Sequence, residues 1–160
     1  MENLSNIKVQ RLTTFGLVVL FIILQTFFPL KGTGFFLTLP SIFMLITYKP
    51  DNLNYGSCFL LGVINDLFCM QVLGLSSIVF ISLRFFKMFN NNILAKSYVS
   101  LLKEYLAYSY ILLIFVYSFT LVLKLHEFDL VVLLGIALLQ FFGFLICHFL
   151  WQKIFDLFDE

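Results

Sequence analysis

The spacing of charged residues is the feature that most constrains this chain. Only 12% of its 160 residues are charged, and they border long apolar stretches. The ranges 12–30, 105–123 and 130–152 contain no Asp, Glu, Lys or Arg. Each can form a helix that crosses the roughly 30 Å hydrocarbon core of a bilayer. Because 61% of the residues are hydrophobic, the composition excludes both a soluble domain and a disordered chain and predicts an integral membrane protein.

The stretch 52–83 is too long for a single span. As one helix it would measure about 48 Å, well beyond the thickness of the hydrocarbon core. It contains one charged residue, Asp66, near its middle. We expect the chain to turn back there, at the membrane edge, because Asp66, Gln71 and Gly74 suit a turn. The stretch then provides two spans, at 53–68 and 72–89.

A shorter apolar range, 32–48, is also free of charge but contains Gly32, Gly34 and Pro40. We expect it to span the membrane as a bent or partly unwound helix. The predicted fold is therefore an all-α integral membrane protein, a compact bundle in one domain over 1–160. Its six transmembrane helices are predicted at 12–30, 32–48, 53–68, 72–89, 105–123 and 130–152.

The distribution of Lys and Arg agrees with six spans. Cytoplasmic loops carry the excess of these residues. With both termini cytoplasmic, the inner side receives eight of the ten, and only Lys31 and Lys124 lie outside. A single span over 52–83 would give four inside and six outside. No small-x-small cleavage site follows the first apolar segment, so we expect it to be retained as a helix. The net charge of +1 argues against a nucleic-acid partner.

The longest predicted loop, 90–104, has its own helical pattern. Apolar residues recur at helical spacing, while lysines between them can reach lipid headgroups. We expect an interfacial helix, either as a docking surface for a partner or as a simple connector. The residues that form the pattern are Leu94, Lys96, Tyr98, Leu101, Leu102 and Lys103.

No arrangement of residues typical of an enzyme or a metal site is visible. There is no nucleophile with a base and an orienting acid, no HExxH and no phosphate-binding Gly-rich loop. His126 and His148 have no second ligand at a metal-binding spacing. Cys58, Cys69 and Cys147 lie in apolar runs without a CxxC pattern, so we expect no disulfide. The sequence predicts a protein that is not an enzyme and that needs no cofactor and no metal.

Asp66 is the one acid within an apolar stretch. A carboxylate at the centre of a spanning helix costs roughly 2.5–3.5 kcal/mol on insertion scales. Asp66 can therefore be a buried partner for a cation or a helix N-terminus in an adjoining protein or ligand, or it can end a helix at headgroup level. Gly62, four residues earlier, lies on the same helix face. Both residues suit helix packing better than lipid contact.

The chain resembles the rod shape-determining protein MreD family. The resemblance rests on the six-span pattern, the cytoplasmic ends and a Gly-x-x-x-Asp-x7-Gly-Leu arrangement. The residues that carry it are Pro40, Pro50, Gly62, Asp66, Gly74 and Leu75. It implies a fold similar to the substrate-binding subunits of energy-coupling-factor vitamin transporters. It also implies a non-enzymatic inner-membrane scaffold of the bacterial elongation machinery, which builds lateral peptidoglycan and maintains rod shape.

The resemblance further implies partners and a region that could bind them. The expected partners are the bitopic protein MreC, the actin-like filament MreB, the glycosyltransferase RodA and a penicillin-binding transpeptidase. Gly62, Asp66, Gly74 and Leu75 become candidates for a structural or partner-binding region. Our hypothesis is that a helix face containing Gly62 and Asp66 receives the single helix of a partner.

The alternative function is the vitamin-binding subunit of an energy-coupling-factor transporter. Such a subunit needs an outer pocket with several convergent polar groups. The candidates for that pocket are Lys31, Thr33, Asp66, Gln71 and His126.

Overall fold

The computed structural model describes residues 2–27, 35–69, 72–89, 97–122 and 130–159. This part of the chain is all-helical and contains no strand, which confirms the predicted all-α class. Its six α-helices are α1 (Glu2–Thr26), α2 (Thr38–Tyr48), α3 (Tyr55–Cys69), α4 (Leu75–Phe89), α5 (Tyr98–Val122) and α6 (Leu130–Asp159).

The helices fall into two length classes. Among the described residues, three segments are long and apolar enough to cross a membrane: Val9–Thr26, Tyr98–Phe115 and Leu134–Phe155. They belong to α1, α5 and α6, and they indicate a membrane protein. The other three helices are shorter, with 11, 15 and 15 residues.

Helix α2 begins later than the start of the predicted span 32–48. Residues 35–37 form turns, and the helix starts at Thr38. Pro40 then lies in the first helical turn, where its missing N–H leaves no hydrogen bond unmade. Residues 32–34, which include Gly32 and Gly34 of the predicted span, lie outside the described part.

The two long C-terminal helices extend beyond their predicted spans. Helix α5 starts at Tyr98 instead of residue 105, because Ser97 caps its first turn. The Ser100 N–H donates to the carbonyl oxygen of Ser97 at 2.9 Å and to the Oγ of Ser97 at 3.4 Å. Residues 98–104 of the expected interfacial helix are helical, and they form the first turns of α5. Residues 90–96 lie outside the described part. Helix α6 continues past residue 152 because Trp151 and Phe155 are buried and stack at 5.4 Å.

Helix α2 forms the centre of the bundle. Every residue from Thr38 to Ile46 is buried. The ring of Phe43 packs edge-on against Tyr105 of α5 and Phe144 of α6, with centroids 5.3 and 6.3 Å away. This aromatic cluster joins the short central helix to both long C-terminal helices.

Helices α3 and α4 form a tightly packed hairpin, and Gly62 permits their close approach. A Cβ atom at Gly62 would overlap the backbone of Ser77 on α4. The Ser77 hydroxyl also donates a hydrogen bond to the Phe59 carbonyl oxygen at 3.0 Å. Small residues at a helix crossing let two backbones approach, and this contact stabilises helix pairs in lipid.

We expect Gly62→Ala to destabilise the protein by about 1–3 kcal/mol, because the added methyl group forces α3 and α4 apart. Gly135→Ala on α6 is the matched control, since a Cβ there has no atom within 4 Å. The control should be neutral or slightly stabilising, since alanine favours helix formation. Thermal unfolding in detergent micelles measures both variants. Equal unfolding temperatures for the two variants would contradict the close approach.

The end of the bundle opposite to the α3–α4 turn contains a buried ion pair. Lys87 Nζ of α4 lies 3.0 Å from Glu104 Oε1 of α5, and their side chains are only 6% and 9% exposed. The same ammonium group lies 4.3 Å from the centroid of the Phe43 ring. Lys87 lies in the predicted span 72–89 and Glu104 is the last residue of the predicted loop 90–104, so their pairing was not expected from the sequence. We call this side of the bundle the charged end, since Arg84 also lies here and donates to the Pro50 carbonyl oxygen.

Removing one member of the pair should cost more than removing both. Lys87→Met or Glu104→Leu alone leaves the opposite buried charge without its counter-ion, which costs about 3–5 kcal/mol. The double variant should unfold at a temperature closer to that of the wild type than either single variant does. A double-mutant cycle of thermal unfolding measures this coupling. Additive effects would show that the ion pair does not link α4 to α5.

Candidate functional site: a buried polar layer

Four helix ends meet at one level of the bundle. Helix α1 ends at Thr26, α2 starts at Thr38, α3 ends at Cys69 and α4 starts at Leu75. Helix ends carry backbone groups that lack partners within the helix, and those groups need hydrogen bonds when they are buried. Polar side chains from all four helices are buried at this level, with exposures of 2% or less. We call this set the polar layer: Gln25, Thr38, Asn65, Asp66 and Ser76.

Asp66 caps the start of α4. Its Oδ2 accepts a hydrogen bond from the Gly74 N–H at 2.6 Å, and its Oδ1 accepts one from the Ser76 N–H at 3.1 Å. The carboxylate therefore binds two of the backbone donors at the helix start. It also lies at the positive end of the helix dipole, where a negative charge is stabilised.

Gly74 explains why the cap comes from another helix. It stands directly before α4, in the position that usually supplies a capping side chain, and its φ of +93° favours glycine. Because glycine has no side chain, Asp66 from α3 provides the acceptor. Leu75 follows as the first residue of α4 and is 6% exposed. Gly74 and Leu75 thus belong to the helix start that Asp66 caps.

Neutral hydrogen bonds connect the rest of the polar layer. Gln25 Nε2 donates to Asn65 Oδ1 at 2.5 Å, and Asn65 Nδ2 donates to Ser76 Oγ at 2.8 Å. The Thr38 hydroxyl lies 3.4 Å from both Gln25 Oε1 and Asn65 Oδ1. The network therefore joins α1, α2, α3 and α4 through side chains that satisfy one another.

The structure brings the four predicted site residues together at the contact between α3 and α4, inside the bundle. They are Gly62, Asp66, Gly74 and Leu75. Gly62 packs against α4, and Asp66 bonds to the start of the same helix. The expectation that this face of α3 receives a partner's helix is therefore wrong, because α4 already occupies it. The helix N-terminus that Asp66 binds belongs to its own chain. Asp66 is also buried, with only 1% of its surface exposed.

Most of the pocket expected for a vitamin transporter falls on residues outside the described part. Lys31, Thr33, Gln71 and His126 lie outside the described part. Asp66 does lie within it, and both of its carboxylate oxygens accept hydrogen bonds from backbone N–H groups of α4. Within the same part, no group of three or more His, Cys, Asp or Glu side chains could hold a metal ion.

Sequence reasoning missed three members of the polar layer: Gln25, Thr38 and Ser76. Each stands in or next to an apolar run, and a polar residue there is a signal of internal helix packing. The signal does not show which polar residues meet, because the pairing depends on the rotation of each helix about its axis.

We expect Asp66→Asn to destabilise the protein. The amide provides one acceptor oxygen where the carboxylate provides two, so the N–H of Gly74 or Ser76 loses its acceptor. An unsatisfied buried donor costs about 1–3 kcal/mol. Asp51→Asn is the matched control, since Asp51 is exposed. Thermal unfolding in micelles compares them, and an Asp66→Asn protein as stable as the control would refute the capping role.

Comparisons with known proteins leave the family open. No family model, curated protein or solved structure matches the chain. The likeness to MreD therefore rests on the residues of the capped hairpin and on the helix pattern.

Proposed function

We propose that the chain is a non-enzymatic scaffold of the MreD type in the bacterial inner membrane. Its six membrane helices leave both termini in the cytoplasm. It contributes to rod shape and lateral peptidoglycan synthesis by holding an MreC-like bitopic protein near the elongation enzymes. MreB, RodA and a penicillin-binding transpeptidase are the further partners in this proposal.

The observation that supports the proposal is the geometry of the Gly-x-x-x-Asp-x7-Gly-Leu arrangement. These residues, although widely spaced in the sequence, form one unit in space. Gly62 sets the distance between α3 and α4, Asp66 caps α4, and Gly74 forms the turn. Such a unit fixes the hairpin rigidly. Rigidity suits a scaffold, which must hold a partner in one place and carries out no chemistry.

The proposed mechanism is positional. A partner's helix packs on the outside of the bundle, and the rigid interior keeps that surface in one shape. Binding of this kind changes the populations of the partner's conformations only to the extent that the bundle binds those conformations with different affinities. The binding surface lies away from the Gly62 face, because α4 covers that face.

The transporter alternative differs in one measurable property. A vitamin that binds the folded state raises the unfolding temperature by mass action. Under the scaffold proposal, no member of a vitamin panel shifts thermal unfolding in micelles. A reproducible, concentration-dependent shift with one vitamin would favour the transporter.

The decisive experiment is depletion of the protein in its own bacterium, where that organism is rod-shaped. We expect depleted cells to widen and round, because lateral wall synthesis loses its scaffold, and we expect an MreC-like protein to co-purify with the tagged chain from native membranes. Microscopy and mass spectrometry measure the two results. Cells that keep their rod shape and growth rate would overturn the proposal.

Two variants make the depletion experiment specific. Gly135→Ala, which meets no neighbouring atom, should restore rod shape when it replaces the native protein. Gly62→Leu, which forces α3 from α4, should fail to do so. Restoration by both variants would show that cell shape does not depend on the folded hairpin.

A further inference from the structure

Helices α5 and α6 continue well past the polar layer. Gly143 of α6 packs against Phe36, which lies just before α2. From Gly143 to its start at Leu130, α6 has thirteen more residues, or about 20 Å of helix. On α5, Tyr108 donates to the Val79 carbonyl oxygen near the start of α4. From there α5 extends to Val122, about 20 Å. Both helices therefore project beyond the ends of α1 to α4.

The projecting parts carry several exposed apolar side chains. Ile111, Ile114 and Phe115 of α5 are more than half exposed, as are Leu134 and Leu138 of α6. No charged residue occurs in 105–122 or in 130–152. Exposed aliphatic and aromatic side chains on two long helices belong in lipid, because contact with water is unfavourable for them. The outer edge of the hydrocarbon core therefore lies near the far ends of α5 and α6, above the polar layer.

Helices α3 and α4, measured from the charged end, are shorter than the hydrocarbon core is thick. Helix α4 runs from Leu75 to Lys87 over about 18 Å. Helix α3 has 15 residues, or about 22 Å, against a hydrocarbon core of about 30 Å. With Lys87 and Arg84 at one interface, neither helix reaches the other interface.

We propose that α3 and α4 form a re-entrant hairpin, whose turn and polar layer lie inside the hydrocarbon region. The hairpin enters from the charged end and returns to it. The hairpin replaces the two predicted spans 53–68 and 72–89, neither of which then crosses the bilayer. Because a hairpin that turns halfway returns to the side from which it came, the chain ends and the Lys and Arg residues stay on the sides given by the six-span topology. The proposal does not depend on the scaffold function.

The chemistry of the polar layer fits this depth. Irregular backbone at membrane depth is tolerated where protein buries it and satisfies its hydrogen bonds. Asp66 provides those bonds for the turn at Gly74 and Ser76. Known broken helices use their N-termini at this depth to hold anionic groups, and α4 holds a carboxylate of its own chain.

The test is the depth of Leu73, which lies in the turn and is 68% exposed. A spin label is placed on Leu73→Cys in protein whose native cysteines are serine, reconstituted in dioleoyl phosphatidylcholine vesicles. We expect oxygen to reach the label readily and a water-soluble nickel chelate to reach it several-fold less than a label on Val99→Cys, which is at the charged end and 55% exposed. Equal access of the chelate to both labels would overturn the proposal.

A second pair of variants keeps the native cysteines and does not need labelling. Leu73→Lys should reduce the amount of folded protein in the membrane and lower its unfolding temperature, because lysine in hydrocarbon is costly. Val99→Lys should be tolerated, since lysine at the interface contacts headgroups and water. Equal tolerance of the two lysines would place the turn at the membrane surface and refute the hairpin.

Discussion

The bond between the Asp66 carboxylate and the start of α4 determines the arrangement of the remaining structure. It holds the Gly74 and Ser76 N–H groups and thereby sets where α4 begins relative to α3. The close crossing at Gly62 and the network through Asn65 depend on that register, since a shift of one residue would move Ser77 and Ser76 off their partners. Helices α1 and α2 then join through Gln25 and Thr38. One ionic cap and four neutral side chains thus fix four helices.

The bundle has different kinds of contact at its two ends. At the polar layer, α1 to α4 meet through side-chain and backbone hydrogen bonds. At the charged end, α4 meets α5 through Lys87 and Glu104, beside the Phe43 ring. Between the two lies an aromatic interior that includes Phe43, Tyr105 and Phe144. Tyr105 adds a buried bond to Gln140 on α6 at 2.5 Å. Polar contacts therefore specify which helices pair, and apolar packing fills the space between them.

The helical class and the reversal after Asp66 could be predicted because both follow from the one-dimensional spacing of charges. The limits of α5 and α6 could not, because they depend on a cap at Ser97 and on the burial of Trp151 and Phe155. The face of α3 was predicted correctly as a packing face, but its occupant was not. Periodicity places Gly62 and Asp66 on one side of a helix and contains no information on whether α4 or another chain covers that side.

The shared cap has a consequence for biogenesis. Helix α3 alone would present Asp66 and Asn65 to lipid, and α4 alone would present the free N–H groups of its first turn. Neither helix is suited to partition from the translocon separately, because each exposes polar groups that only the other satisfies. We therefore expect α3 and α4 to leave the insertion machinery as a pair.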